Sequence, residues 1–252
     1  MFFIMSNSIV VLDYKSVDEI VSFQNSVLSV LDKNQWELVV SSNSQYDDDK
    51  QKQIVSKSTW AHWQFNARNG GFAYGMNEGL KVAKGDVLVI VNPDVKFKTP
   101  LEPMVDYLLQ HPEVGIIAPK IVDEDGVVQD SFRSFATPFS FITRQVGRII
   151  HRNKLHVKSA DTPQKVDWVI GAFMMVRRDF YEKVGGLSED YFMYCEDEDW
   201  CKRASLAGYD VVYYPESVIE YKGTRASRNS WKYAKIHIQS LFTYWRKYGI
   251  LG

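Results

Sequence analysis

Three short runs limit what this chain can fold into: "SIVVLDY" (Ser8–Tyr14), "WELVVSS" (Trp36–Ser42) and "DVLVIVNPD" (Asp86–Asp94). A strand wet on one face alternates apolar and polar residues. These runs do not alternate, so they read as strands covered on both faces. Between the first two, Ile20, Val21, Phe23, Val27, Leu28 and Leu31 recur at helical spacing over Val17–Leu31. That order predicts an α/β fold: a Rossmann-like, mostly parallel sheet flanked by helices. Ligands of such sheets sit beyond the carboxyl ends of the strands. Here those ends are polar: Tyr14-Lys15, Ser42-Asn43-Ser44 and Asn92-Pro93-Asp94.

The remaining chain continues the pattern. "NSQYDDDKQK" (Asn43–Lys52) reads as a polar loop. A glycine- and asparagine-rich stretch, Asn66–Asp86, opens a helix expected over Met76–Lys84. It is neither G-x-G-x-x-G nor a P-loop, so a dinucleotide-binding dehydrogenase is disfavoured. A helix is expected over Leu101–Gln110, a strand over Val114–Pro119 and a hairpin at Asp125-Gly126. "DWVIGAFMMVRRDFYEKVGG" (Asp167–Gly186) reads as a strand entering a helix, and "DVVYYP" (Asp210–Pro215) as a further strand. No repeat or low-complexity linker interrupts the 252 residues. The expected division is a domain over 1–229 and an amphipathic basic, aromatic helix over 230–252, belonging to that domain or lying on a membrane.

A net charge of −1 gives no reason to expect nucleic acid as a partner. The cations are nevertheless grouped. No acid follows Glu220, whereas Lys222, Arg225, Arg228, Lys232, Lys235, Arg246 and Lys247 do. Arg133, Arg144, Arg148, Arg152, Lys154 and Lys158 fall between Asp130 and Asp161. Mixed with Trp231, Tyr233, Phe242, Tyr244 and Trp245, the last group has the composition of an interfacial helix, or else of a helix packed on the domain or on a second copy in a homodimer. No apolar run reaches the ~18 residues of a membrane span. The amino terminus lacks a basic region and a cleavage site, so a cytoplasmic protein is expected, either soluble or peripheral on the inner face of a membrane. Cys195 and Cys201 are the only cysteines, are not spaced as CxxC, and read as packing residues in a reducing compartment.

Two places carry chemistry. Asp94 follows a proline that stops a buried strand; it is either an ordinary turn residue or an oxygen ligand for a hard cation. In "YFMYCEDEDWCKRASLAG" (Tyr191–Gly208), four acids open a helix. They are either partners of its dipole or a site. With a helix from about Asp197 to Leu206, Asp197 shares a face with Trp200, Cys201 and Ala204, while Glu198, Lys202 and Arg203 point to solvent. A carboxylate above apolar surface is suited to act as a base.

Taken in order, "NGGFAYGMNEGL", "GDVLVIVNPDV" and the run from Asp167 to Pro215 resemble the inverting glycosyltransferases of family 2, most closely their bacterial rhamnosyltransferase-like branch. The resemblance spans Ser8 to Trp245. It implies a GT-A fold, a nucleotide-diphospho-sugar donor, a divalent metal (Mg2+ or Mn2+), and transfer to a hydroxyl of a lipid-linked or growing bacterial surface polysaccharide. The implied sugar is L-rhamnose from dTDP-rhamnose. It further implies donor contacts at Tyr14, Ser42, Asn43, Asn69, Gly71, Asn77, Asn92 and Asp94, and acceptor contacts at Arg133, Trp168, Gly171 and Ala172. Asp197, beside Glu196, would be the base. Asp94 would hold the metal, with Glu220, or Tyr221 if the alignment shifts by one, where the family places a histidine. Ser42 stands in place of the family's aspartate and Lys15 in place of an asparagine. These departures leave a second reading, a catalytically degenerate relative that binds glycan or a partner enzyme.

Overall fold

The computed structural model describes residues 6–139, 143, 159–223 and 230–249. Arg144, Arg148, Arg152, Lys154, Lys158, Arg225 and Arg228 lie outside them. The first four strands are β1 (Asn7–Asp13), β2 (Trp36–Ser42), β3 (Ala61–Phe65) and β4 (Val87–Val91). All are parallel, in the spatial order β3-β2-β1-β4. Beyond β4 the sheet continues through β10 (Phe173–Arg177), β6 (Val114–Val122), β11 (Asp210–Glu220) and β5 (Lys96–Phe97), with β8 (Gln164–Val166) also on β11. β10 runs antiparallel to both β4 and β6, and β11 is parallel to β6. A separate pair joins β7 (Phe132–Arg133) to β9 (Trp168–Val169).

The non-alternating runs do what their composition requires. Ile9, Val10 and Val11 are all fully buried. Ile9 and Val11 face a core shared with helices α1 (Val17–Leu28) and α4 (Glu102–Gln110). Val10 faces the opposite core, shared with α3 (Phe72–Val82), α5 (Arg178–Val184) and α6 (Glu196–Leu206). A smaller cluster joins Tyr191 and Cys195 to Leu241 and Tyr244 of α7 (Trp231–Tyr248), so the last helix packs beside the start of α6.

The segment read as a polar loop is partly helical: α2 spans Asp48–Lys57. Its acids are its start signal, because the Asp47 side chain accepts a hydrogen bond from Lys50 N and Asp48 and Asp49 occupy the first turn. β3 shows no apolar run because it is an edge strand with only Trp63 buried. β11 runs beyond Pro215, which sits at a shift in its register with β6, where a missing ladder donor is tolerated.

Helix α3 lies close on the sheet at Gly79. A Cβ there would come within 2.4 Å of Val10 Cγ1 and 3.2 Å of Ser41 Cβ, both on buried strands. Gly79→Ala gains about 1 kcal/mol of helix propensity, yet must displace α3 from β1, at about 1–3 kcal/mol. A net loss of stability in urea titration is expected; unchanged or higher stability would show that α3 can shift freely.

Candidate active site

The carboxyl end of β1 is organised by Asp13, which is completely buried. Its Oδ1 accepts from the amide and hydroxyl of Ser16, and its Oδ2 from Ser42 Oγ (2.6 Å) and Ser44 Oγ (3.0 Å). Ser42 therefore points at Asp13. Ser44 Oγ also accepts from Lys15 N, which holds Lys15 in the left-handed region at φ 60°. Tyr14 beside it is exposed.

The next layer is an asparagine network. Asn43 Nδ2 donates to Gly71 O (2.8 Å) and Asn69 Oδ1 (3.3 Å), and Asn43 Oδ1 accepts from Asn66 Nδ2 (2.9 Å). Asn69 Oδ1 also accepts from Gly71 N, closing the turn from which α3 starts. Tyr14, Ser42, Asn43, Asn69 and Gly71 thus come together at one rim of the sheet. Asn77 does not present its amide there. It donates to Leu187 O and Glu189 Oε1 and accepts from Leu187 N, so it anchors the 187–189 loop.

At the end of β4, Asn92 N donates to Ala172 O (3.0 Å) and the turn closes through Val95 N to Asn92 O. Asp94 is at the exposed tip. Its carboxyl is nevertheless raised above its ordinary value, chiefly by lost hydration and also by the charge of Glu19. Glu220 does not join it. Lys96 Nζ (2.6 Å) and Lys98 Nζ (3.1 Å) hold the Glu220 carboxylate and keep it below the usual range. Glu220, expected to ligate a metal, is thus engaged by two lysines. The hydroxyl of Tyr221, the alternative at that position, accepts from Asn92 Nδ2 (3.2 Å). Burial pushes this phenol up to about 12, with the charges of Asp94 and Asp197 both adding. Tyr221 therefore stands in the field of both carboxylates as a neutral hydroxyl. Among the described residues, no group of three or more His, Cys, Asp or Glu forms a metal cluster.

On the far side, Tyr194 and Cys195 both adopt positive φ, 72° and 68°, just before α6. Consecutive non-glycine residues there store backbone strain, of order 1–3 kcal/mol each. The four acids then separate, but not as helical spacing suggests. Glu196, Glu198 and Asp199 are 6%, 3% and 0% exposed; Asp197 alone keeps partial access to solvent. Glu198, expected in water, is covered by the 134–136 segment and accepts a hydrogen bond from Ala136 N. Asp199 accepts from Arg203 Nε, Lys247 Nζ, Tyr248 Oη and Tyr191 Oη. Long-range covering by chain far away in sequence defeats the helical wheel here.

Asp197 is fixed by Gly171. The Gly171 amide donates to Asp197 Oδ2 (2.8 Å), and a Cβ on Gly171 would lie 3.1 Å from Asp197 Cβ. The next residue, Ala172, holds the Asn92 turn. One two-residue strap therefore spaces the Asp94 turn from Asp197. Burial raises the Asp197 carboxyl; the amides of Gly171 and Glu198, and the charge of Arg133, pull it back. Arg133 also pairs with Asp130 (3.0 Å) and lies 5.3 Å above the Trp168 ring, whose Nε1 donates to Ser134 O. Glu196 is raised well above the ordinary value by burial and by Asp197, and its Oε2 has no partner among the described residues. Burial keeps the Cys195 and Cys201 thiols protonated, as packing residues should be.

Residues 8–185 match the family model described as glycosyl transferase family 2, and residues 152–227 match one described as the N-terminal domain of galactosyltransferase. Rhamnosyltransferase WbbL of Escherichia coli is 30% identical over 196 residues, covering 73% of this chain and 74% of the relative. The N-acetylglucosaminyl-diphospho-decaprenol L-rhamnosyltransferase of Mycobacterium tuberculosis is 29% identical over 170 residues, covering 63% of this chain and 54% of the relative. The chain thus spans about half of that relative's length. Among solved structures, the mannosyltransferase PcManGT from Pyrobaculum calidifontis, in complex with GDP-Man and Mn2+, superposes with TM-score 0.65 at 16% identity over 97% of this chain and 65% of that one. GalNAc-T7 with UDP, GalNAc and Mn2+ gives TM-score 0.65 at 15% identity, over 88% of this chain and 44% of that one. At these identities the likeness is one of fold, GT-A.

The buried acids make stability depend on pH. Glu198 is raised to about 7 by burial, opposed by the Ala136 amide. Its folded value exceeds its unfolded one, so its contribution is fully present below about pH 4.5 and is lost as pH rises through 7. Glu198→Gln keeps an oxygen for Ala136 N. Melting temperatures across pH 5–8 should fall less steeply for this variant than for the parent; parallel curves would show that Glu198 is ionised throughout.

Proposed function

The chain belongs to glycosyl transferase family 2, and from that premise we propose that it transfers L-rhamnose from dTDP-rhamnose to a hydroxyl of a lipid-linked or growing bacterial surface glycan, with inversion. Two relatives carry rhamnosyltransferase names, and one of these names has a diphospho-decaprenol acceptor. The observation that carries the mechanism is the strap: Gly171 N holds Asp197 while Ala172 O holds the Asn92–Asp94 turn. On this proposal Asp197 is the base and Asp94 the diphosphate anchor, with the strap setting the room between them for the anomeric carbon.

In this reading the acceptor oxygen forms a bond to the anomeric carbon as the bond to the diphosphate oxygen breaks. Asp197 takes the acceptor proton. Both its oxygens already accept one hydrogen bond, and each keeps a further lone pair. Its raised affinity for a proton improves it as a base. Attack from the face opposite the diphosphate inverts the carbon, and no enzyme nucleophile is needed. Arg133 and Trp168 form the acceptor-side wall. Asn43, Asn69 and Gly71 shape the donor-side rim.

Asp94 fits a hard divalent cation as one exposed oxygen ligand that would be completed by diphosphate oxygens and water. When bound, Mg2+ or Mn2+ neutralises charge on the leaving diphosphate. With Glu220 occupied by two lysines, Mn2+ alone should bind weakly. Calorimetry should show dTDP affinity that rises with Mn2+, is lost in Asp94→Ala and persists in Glu220→Gln. Metal-independent nucleotide affinity would remove Asp94 from this role. Failure of a panel of nucleotide-sugars, dTDP-rhamnose included, to be hydrolysed or transferred would favour the degenerate, glycan-binding reading.

Asp197→Asn preserves the shape and the acceptor for Gly171 N. It should fold normally and lower kcat by about 10²–10⁴-fold. The parent's rate should rise with pH through a value above the ordinary carboxylate range, since the ionised form is the base. A variant that keeps most of the transfer rate excludes Asp197 as that base.

A further inference from the structure

Helix α7 has two faces with different fates. The inner face is bound to the acidic helix. Leu241 and Tyr244 are buried with Tyr191 and Cys195. Ser240 Oγ donates to Met193 O (2.8 Å). Lys247 Nζ (2.6 Å) and Tyr248 Oη (2.8 Å) donate to the fully buried Asp199. The opposite face is bare. Trp231 is 90%, Ile238 48% and Phe242 64% exposed. With Lys235 they stand at i, i+4, i+7 and i+11, one stripe of the helix, and with Lys232 and Gln239 they line one surface depression. Lys232 and Arg246 border the stripe; they and Lys235 are exposed and in no ion pair among the described residues.

We propose that this outer face of α7 docks the protein flat on an anionic bilayer surface. The charge distribution selects this occupant. Helix α7 itself carries no acid, and Lys232, Lys235 and Arg246 are in no ion pair among the described residues. A second copy docked face to face would set lysine against lysine. An anionic bilayer satisfies both components, because rings and an isoleucine enter the headgroup–acyl boundary while the cations meet lipid phosphates. Trp231 and Phe242, 11 residues apart, give a footprint roughly 16 Å long. Among the described residues no helix is long and apolar enough to cross a membrane, so the contact is one of lying on the surface. The docking stands apart from the transfer reaction proposed above. If both hold, α7 fixes the distance of Asp197 from the lipid, because its inner face is bonded to the helix that carries that residue.

The test is co-sedimentation of the full chain with vesicles of phosphatidylglycerol and phosphatidylcholine, and with phosphatidylcholine alone, beside sedimentation velocity without lipid. Expected are binding to the anionic vesicles only, weakening with salt, and a loss of roughly tenfold or more in Lys232→Glu/Lys235→Glu and, separately, in Trp231→Ser/Phe242→Ser. These side chains are exposed, so melting temperatures should not move, and each pair checks the other. No binding, equal binding to both vesicles, or binding untouched by both pairs would overturn the proposal. So would a dimer abolished by Trp231→Ser/Phe242→Ser without vesicle binding, which would make the face a contact between copies. None of these readouts requires activity, so failure here leaves the transferase reading intact, and the reverse.

Discussion

The hydrogen bond from the Gly171 amide to Asp197 Oδ2, 2.8 Å long, joins the two halves of the site. It attaches the acidic helix to the link between β9 and β10, while the neighbouring Ala172 carbonyl attaches the end of β4. Spacing between Asp197 and the turn that carries Asp94 is thus set by backbone. Two adjacent backbone groups hold position more tightly than two side chains could, because fewer torsions intervene. The absence of a side chain at Gly171 permits the approach, since a Cβ would crowd that of Asp197.

Burial treats the four acids of α6 in different ways. Asp199 is matched by Arg203 and Lys247, and two tyrosine hydroxyls complete its shell. Glu196 and Glu198 have no comparable cation and are held toward their neutral forms. Asp197, partly open and drawn back by Arg133, lies between these extremes. Four adjacent carboxyls with one formal charge each in the sequence thus become groups of unequal charge in the fold.

What could be read from residue order was local or periodic. The non-alternating runs gave the parallel half of the sheet, with β2 matching residue for residue over Trp36–Ser42. Asn43, Asn69 and Gly71 were drawn together, as their turn chemistry and the family resemblance suggested. What residue order does not show lies in tertiary contact. Glu198 is buried by the 134–136 segment, some sixty positions away, and Glu220 is claimed by lysines of β5 and its vicinity. Neither partner is visible to a helical wheel or to a motif. Asp13 carries a sequence signal of its own: a carboxylate closing an apolar strand, as Asp94 closes another.

The bonds from Lys247 and Tyr248 to Asp199 have a consequence in time. The acidic helix is synthesised about fifty residues before its counter-ion. Until Lys247 emerges from the ribosome, Asp199 has only Arg203 to balance it, and Leu241 and Tyr244 are not yet there to cover Tyr191 and Cys195. The surroundings of the acidic helix are therefore finished by almost the last described turn of the polypeptide. A half-made chain would hold the asparagine network beside β1 in place before the acidic helix has its full set of partners.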